Sequence, residues 1–314
     1  MADAPTVSIN LCCYNSEKYL RETLGSIVNQ TYKDWELVVI NDGSTDSTES
    51  IIYEYINQGY PITYRYQENK GLGYSRNEAL KRSQGEFIAF IDHDDIWLPE
   101  KLEKQIPLFN NSDVGLVFSD TIFFNQKGES QQWYGRRPYW TGRCFRQLLA
   151  HYFLAIQTVI IRSDVLEHES AWFDHRFNII EEADLFRRIA YKWQIDMVEL
   201  PLSKCRVHSS SLSQIKGHLF AEETLLMLEH YSEIFTDFDN SFAQEINILK
   251  KEAMTIKAKW LYKCGDPKNA RKLLKIQMNS DHKICLLFLS TYLPVYILRP
   301  LINLLHSYRK DITP

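Results

Sequence analysis

Over roughly its first 120 residues the chain alternates short runs rich in Val, Ile and Phe with stretches whose apolar residues recur at helical spacing. The short runs, at 7–13, 36–40, 62–67, 87–92 and 114–119, predict β-strands. The periodic stretches, at 16–29, 46–58, 73–83 and 99–109, predict helices, and Asp46 with Glu49 three residues on resembles a capping box. Strand and helix in alternation predict βαβ units around a mostly parallel open sheet, an α/β fold. The strands' carboxyl ends then share one edge, and ligands of such sheets bind in the crevice beyond that edge. Further along, an apolar run at 159–161, a helix at 181–192, a strand near 196–200 and a polar run at 206–213 are expected.

Past Ser213 only helical periodicity remains, at 219–235, 242–264 and 267–278, followed by an apolar segment at 284–305. The expected division is an α/β domain at 1–213 and a helical C-terminal region at 214–314. The apolar segment contains Pro294, Arg299, Pro300 and Asn303, and its unbroken part ends at Leu298, short of the ~18–20 residues a membrane span needs. It is expected to lie on a membrane as an interfacial anchor, with Lys283, Arg299, Arg309 and Lys310 toward anionic lipid. The alternative is a helix packed on the main domain.

Composition narrows the field. A chain of 314 residues that is 45% hydrophobic can bury a full core, and 36 basic against 40 acidic side chains leave a formal charge of −4. That balance gives no global attraction to nucleic acid, which is not expected as a partner. Cys12, Cys13, Cys144, Cys205, Cys264 and Cys285 show no CxxC spacing, so neither a zinc site nor a dense disulfide frame is indicated. The start, Met1-Ala2-Asp3-Ala4-Pro5, lacks a secretory signal pattern, and the expected location is the cytoplasm, at the inner face of the membrane.

Three polar clusters fall at the predicted strand ends: Tyr14-Asn15, Asn41-Asp42-Gly43-Ser44 and Asp92-His93-Asp94-Asp95. In the last, three carboxylates within four residues repel and raise one another's pKa, and a hard divalent cation would neutralise them. A solvated acidic turn ahead of the helix that Pro99 opens is the plainer reading. Alternation along the strand aims His93 away from Asp92 and Asp94, so it is not expected to be a ligand. The segment 131–143 carries Trp133, Tyr134, Gly135, Arg136, Arg137, Tyr139 and Trp140 and is expected to be a loop, either stacking on a sugar face or anchored by its own aromatics.

Taken together, VSINLCCYN at 7–15, VVINDGSTD at 38–46, NKGLGYSRN at 69–77, GEFIAFIDHDD at 85–95, EEADL at 181–185 and Arg206-Val207-His208 resemble, in order and spacing, glycosyltransferase family 2. The resemblance covers about residues 5–215 and implies a GT-A fold and an inverting, nucleotide-sugar-dependent transferase using Mn²⁺ or Mg²⁺. It implies that Asp42 holds the nucleobase above Tyr14 and Asn15, and that Arg76 and Asn77 stand beside the nucleotide. By the same match Asp92 and Asp94 form the DxD pair, Asp92 toward the ribose or a metal-bound water and Asp94 on the metal. Arg206 and His208 match an element that contacts diphosphate or metal. Where the family has Glu-Asp-x-Asp-Leu this chain has Glu181-Glu182-Ala183-Asp184-Leu185, which makes Glu182 the expected base and Asp184 the second candidate.

The expected activity is hexosyl or N-acetylhexosaminyl transfer, UDP-linked by family habit, to a glycan or lipid-linked saccharide acceptor. A sugar-1-phosphate nucleotidyltransferase would share the sheet and the metal but needs a glycine-rich basic loop near the start, and 11–18 has no glycine. A dinucleotide-binding oxidoreductase is weaker still, because Gly71-Leu72-Gly73 runs on to Arg76 where a third glycine is required. A non-catalytic nucleotide-sugar or glycan-binding module is the remaining alternative.

Overall fold

The computed structural model describes residues 5–125, 128–134, 138–168, 172–208, 216–277 and 282–292. The chain divides into two units, one of Met1–Leu148 with Tyr152–Val207, the other of Leu149–His151 with His208–Pro314.

The first unit begins β1 (Val7–Cys13), α1 (Leu20–Val28), β2 (Trp35–Asp42), α2 (Thr48–Asn57), β3 (Ile62–Gln67), α3 (Leu72–Leu80) and β4 (Phe87–Asp92). β5 (Ile96–Trp97), α4 (Lys101–Gln105), β6 (Val114–Asn125), β7 (Gly128–Gln132), α5 (Phe145–Ala150), β8 (Ile160–Arg162), α6 (Glu181–Lys192) and β9 (Gln194–Arg206) follow, Leu149 and Ala150 of α5 being counted with the second unit. Every residue of β1 is buried, as a strand covered on both faces requires. At the sheet edge β3 alternates partly buried Ile62, Tyr64 with exposed Thr63, Arg65. α1 presents Leu20, Thr23, Leu24 and Ile27 inward, a helical stripe that joins the core of Ile9, Leu37, Val39, Ala89 and Ile91.

The sheet order is β3-β2-β1-β4-β8-β6-β9-β5, with β7 paired to β6. β1 is parallel to β2 and β4, β2 to β3, and β6 to β9. β8 runs antiparallel to both β4 and β6, so β1–β4, β6 and β9 point one way and share a carboxyl edge, while β5, β7 and β8 are reversed. The sheet is therefore more mixed than the repeating pattern predicts, because the later strands come without a helix between each pair. Register sets Cys12 beside Asp92 and Cys13 beside Asn41, bringing the ends of β4, β1 and β2 level.

Some expected elements differ. The capping box does not close: Asp46 Oδ1 accepts from the Thr48 amide at 3.0 Å, but Glu49 turns away to accept from the Tyr64 hydroxyl. The helix expected at 99–109 stops as α4 and passes into a 3₁₀ turn at Ile106–Asn110, where Pro107 removes a backbone donor. β6 continues past 119 because Asp120 and Thr121, polar but buried, bond locally, the carboxylate accepting from the Thr121 and Tyr134 amides. β9 likewise runs well beyond 196–200. Gln131 and Gln132, expected in a loop, belong to β7.

The second unit holds α7 (Phe220–Ile234), α8 (Phe238–Ser241), α9 (Ala243–Lys263), α10 (Pro267–Lys275) and α11 (His282–Ser290). Ala258 and Tyr262 of α9 pack with Ala270 and Leu274 of α10, and Ile284, Leu287 and Phe288 of α11 close against them. Among the described residues no helix is long and apolar enough to cross a membrane. Residues 293–305 of the expected anchor, with Pro294, Arg299, Pro300 and Asn303, lie outside the described residues, as do Arg309 and Lys310.

Candidate active site

Loops leaving β1 and β2 are laced together. The Asn15 amide donates to Ser44 Oγ at 2.9 Å, and Asn15 Oδ1 accepts from the Thr45 amide at 2.9 Å. Asn15 takes a left-handed backbone, φ 47°, which asparagine tolerates better than most residues. Tyr14 beside it is exposed. Asp42, at the end of β2, is buried. Its Oδ1 accepts from the Lys70 amide (2.9 Å) and Gln67 Nε2 (2.7 Å), its Oδ2 from the Gly71 amide (2.9 Å). The neighbouring Gly43 has φ 82°, and a Cβ there would come within 2.8 Å of the Asn69 nitrogen, so glycine lets the 69–71 backbone close over Asp42.

Arg76 is the hub. It rises from α3, is nearly sealed from solvent, and forks between two elements: Nη2 lies 3.0 Å from Asp92 Oδ1, while Nη1 lies 2.7 Å from Glu181 Oε1 and 3.8 Å from Glu182 Oε2. The Phe173 ring faces its guanidinium at 5.4 Å. The end of β4 and the first turn of α6 thus share one cation. A planar fork with fixed donors suits such a junction; an ammonium would not span it.

Glu181 is buried, whereas the Glu182 side chain keeps 22% of its surface open and can be reached. Burial, with the negative charges of Glu181 and Asp92 behind it, pushes Glu182 up to about 8, against the pull of Arg76. Tyr152 interacts electrostatically with Glu182, and the Arg187 guanidinium lies over the Tyr152 ring at 5.0 Å.

The turn after β4 is braced from two sides. Thr23 Oγ1 of α1 lies 2.9 Å from the His93 carbonyl and 2.8 Å from that of Asp95. From β9 the Arg206 amide donates to Asp95 Oδ1 and its Nε to the Asp94 carbonyl, each at 2.8 Å. The Arg206 guanidinium is held between the Tyr19 and Phe124 rings, 4.2 and 4.4 Å away, and Nη2 meets Glu22 at 2.8 Å. Asp95 is buried, and burial together with Asp94 and Asp92 raises its pKa well above the usual carboxylate range. Asp92 and Asp94 remain partly open. Among the described residues no group of three or more His, Cys, Asp or Glu side chains is gathered for a metal ion. Two partly open carboxylates are nonetheless the donor set of a hard cation that takes one or two protein oxygens and completes its shell with water and phosphate, so the residues present fit Mg²⁺ or Mn²⁺ of that kind.

Of the residues singled out from sequence, the structure brings Arg76, Asp92 and Glu182 together, with Asp94 two residues past Asp92. Asp184 is sealed within α6 and paired to Arg188, 2.9 Å from Nη2, so it holds the helix and not the open face. Asn77 spends both ends of its amide on the Phe173 backbone, donating to its carbonyl at 2.7 Å and accepting from its amide at 2.9 Å; this fixes the segment ahead of α6. Arg206 props the acidic turn. His208 belongs to the second unit. Trp133, Tyr134, Tyr139 and Trp140 pack against Phe123, Phe118 and Phe153, with Tyr134 5.6 Å from Phe118 and Trp140 5.6 Å from Phe153, the self-anchored alternative; residues 135–137 lie outside the described residues. Reasoning from sequence did not anticipate Glu181 as the partner of Arg76, nor Thr23, Glu22 and Tyr152 near the site. Only Glu181 carried a signal, as an acid in the family motif.

Comparison with known proteins gives concordant results. The family model described as glycosyl transferase family 2 matches residues 8–168. An uncharacterized glycosyltransferase of Rickettsia prowazekii is 31% identical over 256 residues, covering 79% of this chain and 76% of its own. Among solved structures, S. aureus TarS in complex with UDP-GlcNAc superposes with a TM-score of 0.57 at 22% identity, over 85% of this chain and 83% of that one. The mannosyltransferase PcManGT of Pyrobaculum calidifontis, in complex with GDP-Man and Mn²⁺, gives 0.60 at 16% identity, over 95% and 82%. The fold is accordingly of the GT-A type, and the chain belongs to glycosyl transferase family 2.

Proposed function

We propose that this glycosyltransferase moves a sugar, with inversion, from a UDP-linked donor to a hydroxyl of a glycan or lipid-linked saccharide. The observation that carries the reading is Arg76, which joins the donor-side carboxylate Asp92 to the acids opening α6. Asp42, fixed by two backbone amides, faces the nucleobase, and Tyr14 and Asn15 form the loop beneath it. A divalent cation held by Asp92 and Asp94 would supply Lewis-acid charge to the leaving diphosphate when bound. Glu182 accepts the proton of the acceptor hydroxyl as that oxygen forms its bond to the anomeric carbon. The bond from that carbon to the diphosphate oxygen breaks on the opposite face, and its electron pair leaves with the nucleoside diphosphate. Glu182 is favoured over Asp184 because it alone of the two is open and free of an arginine in hydrogen-bonding contact.

UDP is preferred because UDP-GlcNAc is the ligand of one structural neighbour, although another carries GDP-Man. Hexosyl and N-acetylhexosaminyl donors are both accommodated by this reading, as is contact with the membrane where a lipid-linked acceptor resides. The test is incubation with Mn²⁺ and intact UDP-, GDP- and dTDP-sugars. Release of nucleoside diphosphate, greatest from UDP donors, is expected. Pyrophosphate as the product would convert the reading to nucleotidyl transfer, and donor binding without any turnover would convert it to a binding module.

A further inference from the structure

In the second unit, large apolar side chains stand in water beside a row of lysines. Ile276 is 85% exposed, Leu286 68%, Leu289 60% and Tyr292 63%, all within 17 residues. α11 spends Ile284, Leu287 and Phe288 on the core shared with α9 and α10, which leaves Leu286 and Leu289 on its outer side. Within its length α10 bears no acid, its N-cap Asp266 lying in the field of Lys272 and Lys268; it buries Ala270 and Leu274 and exposes Lys268, Lys272 and Lys275, spaced four and three apart on one face and followed by Ile276. Arg271 binds the two helices' edges together, its guanidinium 4.5 Å over the Tyr292 ring and its Nη1 donating to the Thr291 carbonyl at 2.7 Å. Through Arg271 the basic stripe of α10 borders the end of the apolar stripe at Tyr292.

We propose that this α10–α11 surface docks on an anionic phospholipid bilayer, with Leu286, Leu289, Tyr292 and Ile276 entering the headgroup boundary and Lys268, Lys272 and Lys275 meeting the lipid charge. Apolar side chains lower into the interface while lysines reach to the phosphates, the arrangement of interfacial helices that lie on a membrane without crossing it. A second copy of the chain is a poorer occupant, because a two-fold contact through this face would set one row of lysines against its counterpart. A bilayer of negative headgroups supplies the opposite sign over the whole face. The site that would be expected from sequence alone lay at 284–305; the structure adds α10 as its basic half. The inference rests on the second unit alone, so it stands or falls separately from the reading of the active site.

The experiment is co-sedimentation of the full chain with vesicles of phosphatidylcholine alone and with vesicles of equal parts phosphatidylcholine and phosphatidylglycerol. The wild type is expected to pellet with the second and not the first, and less so as salt is added. Lys268→Glu, Lys272→Glu and Lys275→Glu together should lower partitioning on the order of a hundredfold, each lysine contributing about 1 kcal/mol near such a surface. Leu286→Ser with Leu289→Ser should lower it as well. All five positions are exposed, so unchanged thermal unfolding and unchanged donor hydrolysis in solution are the controls. Equal pelleting with both vesicles, no pelleting, or indifference to the lysine variant would overturn the proposal. A fall in solution mass for the leucine variant, without change in vesicle binding, would assign the face to self-association instead.

Discussion

As the proposed base, Glu182 has to lose a proton easily enough to act, yet its surroundings hold the proton on. Burial and two neighbouring carboxylates raise its pKa to about 8, so the neutral form dominates below that pH and the base is present above it. The rate kcat/KM is therefore expected to climb with pH by about tenfold per unit and to level off near 8, the free enzyme's inflection. The same shift has a stability consequence of definite sign. The folded protein binds this proton more tightly than the unfolded chain does, so stability is fullest below the ordinary carboxylate range and is lost as pH rises toward 8. Glu182→Gln should flatten that slope in urea titrations and cut turnover by ~10²–10⁴ while calorimetry shows donor affinity nearly intact. Unchanged turnover would return the role to another group. Arg76→Ala, in contrast, removes the cation paired with the buried Glu181 carboxylate and should cost about 3–5 kcal/mol of folding stability, as breaking one partner of a sealed pair does. Arg76→Lys should recover only part of this, because one ammonium cannot bridge Asp92 and Glu181 together.

At the scale of elements, the site depends on how α3 and α6 are pinned. Asn77 holds Phe173 through two hydrogen bonds, and Phe173 in turn lines the Arg76 guanidinium. Asn77→Ala should cost about 1–3 kcal/mol and loosen the approach to α6. The expected signature is a loss in kcat larger than any rise in KM for the donor, measured by steady-state kinetics; a pure KM effect would place Asn77 on the nucleotide instead. How much of this was readable beforehand follows from the physics of each signal. β1, β3, β4 and α6 were legible to the residue because continuous apolar runs in β1 and β4, alternation in β3 and a strong 3.6 period in α6 leave little choice of boundary. β6 and β9 were cut short because Asp120, Thr121 and Ser203 are polar yet buried, satisfied by hydrogen bonds that periodicity does not register. The acidic residues of the site were legible as types in a motif. Their partners were not, since Thr23, Arg206 and Glu181 meet the β4 turn or α3 only through tertiary folding.

The molecule as a whole places its open carboxylates along the edge shared by β1, β2 and β4 and braces them from β9. Asp92 and Asp94 stay partly open to solvent at that edge, so binding of UDP is expected to need a divalent cation. Treatment with a chelator should weaken UDP binding by calorimetry, added Mn²⁺ should restore it, and Asp94→Ala should not be restored; equal affinity in all three would contradict the assignment. The ion pair between Arg76 and Glu181 spans 105 positions of sequence. During synthesis at ~5–20 residues per second, the guanidinium thus waits several seconds for its counterpart to leave the ribosome. A nascent chain halted before α6 carries the Arg76 cation without its α6 partner. The proposed site is therefore completed late, only once the α6 acids have docked against Arg76.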